Sequence, residues 1–339
     1  MISHSRPWLD YREDAAVTAV LHSAMLARGA QAASFASTLG GSIGETTLFS
    51  SGRQALLAAL LALDLPPKTG VAVQSYVCDA AIWAIGQAGL TPTLCDIGAH
   101  WTCTTDTVAA SIDESCGAIL LAPPFGFLQS AAPFRRFGLP IVHDLCQASP
   151  AIAQTAMREE LGDLVAFSFH PTKYICAAGG GAIVSLTDPY KAPLRALQDR
   201  FSQSAPFSDI QAAIGRAQYA KILEIKTRRQ NIFDIYAEYL PSHVLQPLHE
   251  AMDTSPGDLF RMPLNVAPRE LTTLFARFAA AGIAARHGVD QLAHRLAALP
   301  DAQFPNAVQR LRSTISLPYY PALELDDARM IADIAASLL

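Results

Sequence analysis

Short apolar runs bounded by turn residues recur along the first half of the chain: Val71–Tyr76, Pro92–Ile97, Ala118–Pro123, Ile141–Cys146, Leu164–His170 and Gly181–Leu186. Each is too short for a helix and apolar on both alternating faces, the pattern of strands covered on both sides in a parallel sheet. Helical periodicity fills several gaps between them, at Gln54–Leu63, Ala80–Ala88 and Thr105–Ile112. Strand alternating with helix predicts βαβ units and an α/β fold built on a doubly wound, mostly parallel sheet.

The pattern changes at Ser208, where one long helical stretch rich in Ala, Ile, Lys and Arg runs to about Leu240. Beyond it, Phe260–Val266 reads as a strand, Glu270–Ala281 as a helix and Asp326–Leu338 as a final helix. The expectation is a large α/β domain over 1–240 and a smaller C-terminal α+β domain over 241–339, in keeping with a length of 339 residues.

Composition narrows the class without naming a function. An apolar fraction of 51% with 16% charged residues describes a well-buried globular chain. A net charge of -5 favours neither nucleic acid nor an anionic membrane. The nine histidines are scattered, and no Cys/His pair has metal-ligand spacing. The six cysteines fall mostly in or beside apolar runs and read as small buried hydrophobes, so a reducing compartment is the default. With no apolar leader at Met1–Pro7 and no apolar segment long enough to span a membrane, the expected location is the cytoplasm.

In an open α/β sheet, ligands bind at the carboxyl ends of the strands. Asp144 ends one predicted strand, and Ser168, His170 and Lys173 end the next. The turn Ser50-Ser51-Gly52-Arg53 directly precedes an apolar helix, whose free backbone N–H groups form a phosphate site by dipole and hydrogen bonding. A lysine amine, a carboxylate and phosphate donors are the parts needed to hold and use pyridoxal 5'-phosphate (PLP). Singly, each has a plainer reading: a solvated loop lysine, a turn aspartate, an N-cap serine. Their joint order on alternating elements makes coincidence the weaker explanation.

These motifs resemble the DegT/StrS family of PLP-dependent sugar-nucleotide aminotransferases, of fold type I. The resemblance runs nearly end to end. It rests on Ser5-Arg6-Pro7, Ser50-Ser51-Gly52, Val142–Ala148, Phe167–Lys173 with the glycines that follow, the helix start at Asp209, and Phe304–Ala307 with Ser316-Leu317-Pro318. It implies that Lys173 forms the Schiff base, that Asp144 partners the pyridine nitrogen, that Gln147 bonds the ring hydroxyl, and that Ser168 with Ser51, Gly52 and Arg53 holds the phosphate. It further implies a homodimer with active sites at the interface. The reaction implied is ping-pong transfer from an amino-acid donor to a keto-sugar nucleotide or related keto compound, in polysaccharide or secondary-metabolite synthesis.

The chain departs from that pattern at several positions. Arg53 replaces a threonine, and its guanidinium faces either the phosphate or solvent. Cys78 stands where the family carries a ring stacked on the cofactor; Tyr76 is the alternative source of that ring, with a core or rim tyrosine as the competing reading. Tyr174 and Gly179 replace polar and acidic residues, and Ser204-Ala205-Pro206 replaces an Asn-Tyr-Arg segment whose asparagine crosses the dimer interface. Arg200 or Ser202 are candidate substitutes. These changes keep open a non-transaminating PLP-binding relative with a regulatory or assembly role. A sugar dehydratase of the same family would carry histidine in place of Lys173. His100, Trp101, Tyr319 and Tyr320 read equally as pocket or as ordinary residues.

Overall fold

The computed structural model describes residues 1–151, 155–255 and 257–339. Its main sheet has seven strands: β1 (Glu45–Phe49), β2 (Gly70–Gln74), β3 (Thr91–Cys95), β4 (Cys116–Leu121), β5 (Ile141–Asp144), β6 (Leu164–Ser168) and β7 (Gly181–Ser185). Their order is β1-β7-β6-β5-β4-β2-β3. Pairs from β6 through β3 are parallel, whereas β7 runs antiparallel to both β1 and β6. Fold class thus follows the mostly parallel, doubly wound expectation.

Alternation along the strands splits the core into two layers, because successive side chains point to opposite faces. Val142 on β5, Leu164 and Ala166 on β6 and Ile183 on β7 pack with Ala55, Leu56 and Ala59 of the Gly52–Ala62 helix. On the other face Val165 and Phe167 of β6 and Val184 of β7 pack with Phe35 and Phe207.

A smaller antiparallel sheet, ordered β8-β10-β9, contains β8 (Met262–Asn265), β9 (Arg286–His287) and β10 (Thr314–Leu317). The N-terminus joins it: Ile2 bridges Ile283, and the His4 ring lies 3.0 Å from the Ser316 hydroxyl. Leu264, Ile315 and Leu317 share one apolar core with Tyr76, Trp101, Phe125 and Phe127 of the larger sheet's loops. The small sheet therefore packs over the carboxyl end of the large one.

Three local expectations change. The apolar runs reach past the paired strands, so that Tyr76, Pro123, Cys146 and His170 lie in loops beyond the ladder. The single long helix after Ser208 is two helices, Asp209–Ala220 and Ile222–Tyr239. Lys221 at the junction leaves helical geometry, and its fully buried ammonium is paired with Asp10 and Glu13 at 3.0 and 2.8 Å. Pairing removes the cost of burying that charge alone and fixes the break. Finally, β1, β9 and β10 do not stand out as runs; Glu45-Thr46-Thr47 and Thr314 dilute their apolar character.

Candidate active site

A cavity of about 600 Å³ opens where the carboxyl ends of β1, β2, β4, β5 and β6 meet. All ten candidate residues line it: Ser51, Gly52, Arg53, Tyr76, Cys78, Asp144, Gln147, Ser168, His170 and Lys173. Register explains the convergence. Phe49 at the end of β1 and Ser168 at the end of β6 both face Gly181 on β7. The turn leaving β1 is thereby set against the end of β6.

That turn is tightly built. Ser51 caps the Gly52–Ala62 helix, its hydroxyl accepting from the Gln54 N–H at 3.1 Å, while the Gln54 amide oxygen accepts from Ser50. Gly52 has no room for a side chain: a Cβ there would lie 2.6 Å from Ser168 Cβ and 2.7 Å from its Oγ. A helix end with its first N–H groups uncommitted, beside a serine hydroxyl, suits a phosphate.

Asp144 leaves β5 on the face shared with Val142, and its Oδ1 accepts from the Cys146 N–H at 3.0 Å. Gln147 offers its amide oxygen to the Phe125 N–H at 2.9 Å, leaving the NH2 group to face a ligand. Lys173 follows a turn in which its N–H donates to the His170 carbonyl at 2.8 Å. The loop is pinned at Phe169, whose carbonyl accepts from Ala177 and Gly179 and whose N–H donates to Gly180. Gly180 has φ +98°, and any Cβ would strike the Phe207 ring. Lys173 Nζ lies 5.8 Å from the centre of the Phe260 ring and has no ion pair among the described residues.

The altered positions take definite places. The Arg53 guanidinium bonds Asp79 at 2.6 Å and lies over Trp83. Tyr76 is fully buried with its ring edge-on to Phe125, and its hydroxyl sits against Gly288. Cys78 is exposed in the cavity and Cys146 lines it as well, so these two depart from the expectation of buried hydrophobes. Poor hydration of the sulfur against the cavity wall pushes both thiols up, away from the reactive thiolate. Trp101 belongs to the core, its Nε1–H donating to Thr314. Ser202 lines a separate cavity of about 250 Å³, and Arg200 lies over Phe201.

Sequence reasoning passed over Pro123, Pro124 and Val289, which also line the cavity. The prolines directly follow a predicted strand, so the rule that flagged Asp144 could have found them. Val289 arrives from the small sheet's loops, where the sequence carries no local signal.

These groups fit PLP: a free amine, a carboxylate, an amide donor and an anion cradle share one cavity of adequate size. The family model of the DegT/DnrJ/EryC1/StrS aminotransferases matches residues 7–335. The chain belongs to this family. It is thus a PLP-dependent aminotransferase. It is 27% identical to the UDP-N-acetyl-3-dehydro-alpha-D-glucosamine 3-aminotransferase of Acidithiobacillus ferrooxidans, over 84% of this chain and 81% of that protein. It is equally 27% identical to the dTDP-4-dehydro-2,3,6-trideoxy-D-glucose 4-aminotransferase of Saccharopolyspora spinosa, over 98% and 95%. Its fold matches a putative sugar aminotransferase from Streptococcus pneumoniae in the PMP form, with TM-score 0.82, 18% identity and coverage of 99% and 97%. The same protein is also solved in a PLP form.

Proposed function

We propose that this chain moves an amino group from an amino acid to the keto carbon of a nucleotide-linked sugar, acting in the cytoplasm as a homodimer. The observation that carries the reading is the convergence of Lys173, Asp144, Gln147 and the Ser51–Gly52 helix end on one cavity. Both curated relatives above act, by name, on dehydro sugars carried by UDP or dTDP. Bound PLP supplies an electron sink conjugated to the donor's Cα.

The residues have separable tasks. Lys173 would hold the cofactor through its amine and would move a proton at the substrate's Cα. Asp144, fixed by the Cys146 N–H, keeps the ring nitrogen protonated, since an adjacent carboxylate favours the cation. Gln147 would donate to the ring oxygen, and Ser51, Gly52 and Ser168 would hold the phosphate. Arg53, engaged by Asp79, sets the outer edge of that cradle.

Adding L-glutamate or L-glutamine to the purified holoenzyme tests this directly. The expected outcome is conversion of its absorbance to that of pyridoxamine phosphate, reversed by a nucleotide-linked keto sugar. No conversion with any common amino acid would contradict the reading.

A further inference from the structure

Arg229, on the helix Ile222–Tyr239, is buried behind the loop that carries Lys173. It forms no ion pair among the described residues; Asp258, whose charge reaches it, is taken by Lys226 at 2.7 Å. Instead, Arg229 Nη1 donates to the carbonyls of Phe260 and Tyr319 at 3.0 and 3.1 Å. Its guanidinium lies over the Tyr174 and Tyr319 rings, 4.8 and 5.4 Å from their centres. A cation buried without a counter-ion costs stability that an apolar side chain of similar volume would not. What the arginine adds over such a side chain is a hold on two segments of backbone and a flat face against Tyr174.

Those contacts lead to the cofactor cavity by two routes. Phe260, whose carbonyl Arg229 fixes, donates its N–H to the Phe125 carbonyl at 2.7 Å, and the Phe125 N–H donates to the Gln147 amide oxygen at 2.9 Å. Phe125 has φ +62°, a left-handed conformation that disfavours a bulky residue and persists only where its surroundings impose it. The surroundings are the same segment: a Cβ on Gly126 would lie 2.2 Å from the Asp258 carbonyl oxygen and 2.8 Å from Phe260 N. On the second route, Tyr174 directly follows Lys173, and Lys173 Nζ lies 5.8 Å from the centre of the Phe260 ring. Resting on the roles given above to Lys173 and Gln147, we propose that Arg229 is a positioning residue for the reaction, setting Gln147 and Lys173 against the cofactor through Phe260, Phe125 and Tyr174.

The test compares wild-type holoenzyme with Arg229→Met and Arg229→Lys. Methionine fills the space without donating; lysine can donate to both carbonyls but lacks the flat face that meets Tyr174. A donor to the cofactor's ring oxygen draws off negative charge that would otherwise hold the proton where Lys173 and cofactor join, so a displaced Gln147 raises the pH midpoint of the cofactor's absorbance. That midpoint should rise by about one unit in Arg229→Met, the tenfold change of one weakened hydrogen bond, and by less in Arg229→Lys. The dissociation constant of PLP from the same proteins should rise in the same order. A stability loss with an unmoved absorbance midpoint would make Arg229 a structural residue only and overturn the proposal. Should Arg229→Met not fold, Arg229→Lys carries the test, with the same expected direction and the same overturning result. Borohydride label on Lys173 of the wild type, with unmoved variants, refutes the positioning role alone; label on a different lysine refutes the role of Lys173 and the proposal with it.

Discussion

Asp144 has one carboxylate oxygen committed to the Cys146 N–H, which fixes the plane in which the other meets a ligand. Asparagine at this position can preserve that acceptor but cannot hold a ring nitrogen protonated. Asp144→Asn is therefore expected to keep the cofactor, judged by absorbance, and to lose at least about 100-fold in kcat, the scale of a positioned acid or base. Unchanged turnover would remove Asp144 from this role. Residues such as Asp144, Ser168 and Lys173 were legible because each ends an apolar run, and chain polarity alone sends strand ends to one edge of the sheet. Arg53 was only half legible: its place beside the helix end could be read, but its pairing with Asp79 depends on how two helices pack. Val289 was illegible as a cavity residue, because it reaches the cavity only after the small sheet folds back.

At the scale of elements, the phosphate cradle depends on two backbone segments touching. Gly52 is pressed against Ser168, and Gly181 against Gly52 itself. Gly52→Ala should destabilise the fold by about 1 to 3 kcal/mol, as overpacking does, and weaken PLP retention at least about tenfold. Denaturation midpoints and cofactor titration measure the two effects; a fully saturated, equally stable variant would refute the close fit. Strand β5 carries a second consequence. His143, adjacent to Asp144 but on the opposite face, is fully buried with neither ring nitrogen bonded among the described residues, and burial lowers its pKa to about 3. The unfolded chain protonates near 6.5 while the folded chain does not, so stability is fully present above pH 6.5 and falls toward pH 3. The expected slope from this residue is about 1.4 kcal/mol per pH unit. His143→Leu should flatten it, as urea midpoints at pH 7 and pH 5 would show; an unchanged difference between them would argue against a buried neutral ring. The helical stretch after Ser208 breaks at Lys221. Its periodicity reads through the junction, and only the distant Asp10 and Glu13 explain why the chain turns there.

For the molecule as a whole, the strand order and the single antiparallel strand β7 bring five carboxyl ends to one cavity, to which the small sheet's loops add Val289. The large sheet was readable from alternation and turn residues. The junction of the small sheet with the N-terminus was not, since the contacts Ile2–Ile283 and His4–Ser316 join residues that no local pattern relates. Among the described residues no helix is long and apolar enough to cross a membrane. If Lys173 is the residue that carries PLP, borohydride reduction of the holoenzyme followed by peptide mass spectrometry will find a phosphopyridoxyl group on Lys173; a protein that stays colourless and unlabelled in excess PLP, or labels on a different lysine, would show that Lys173 does not have this role.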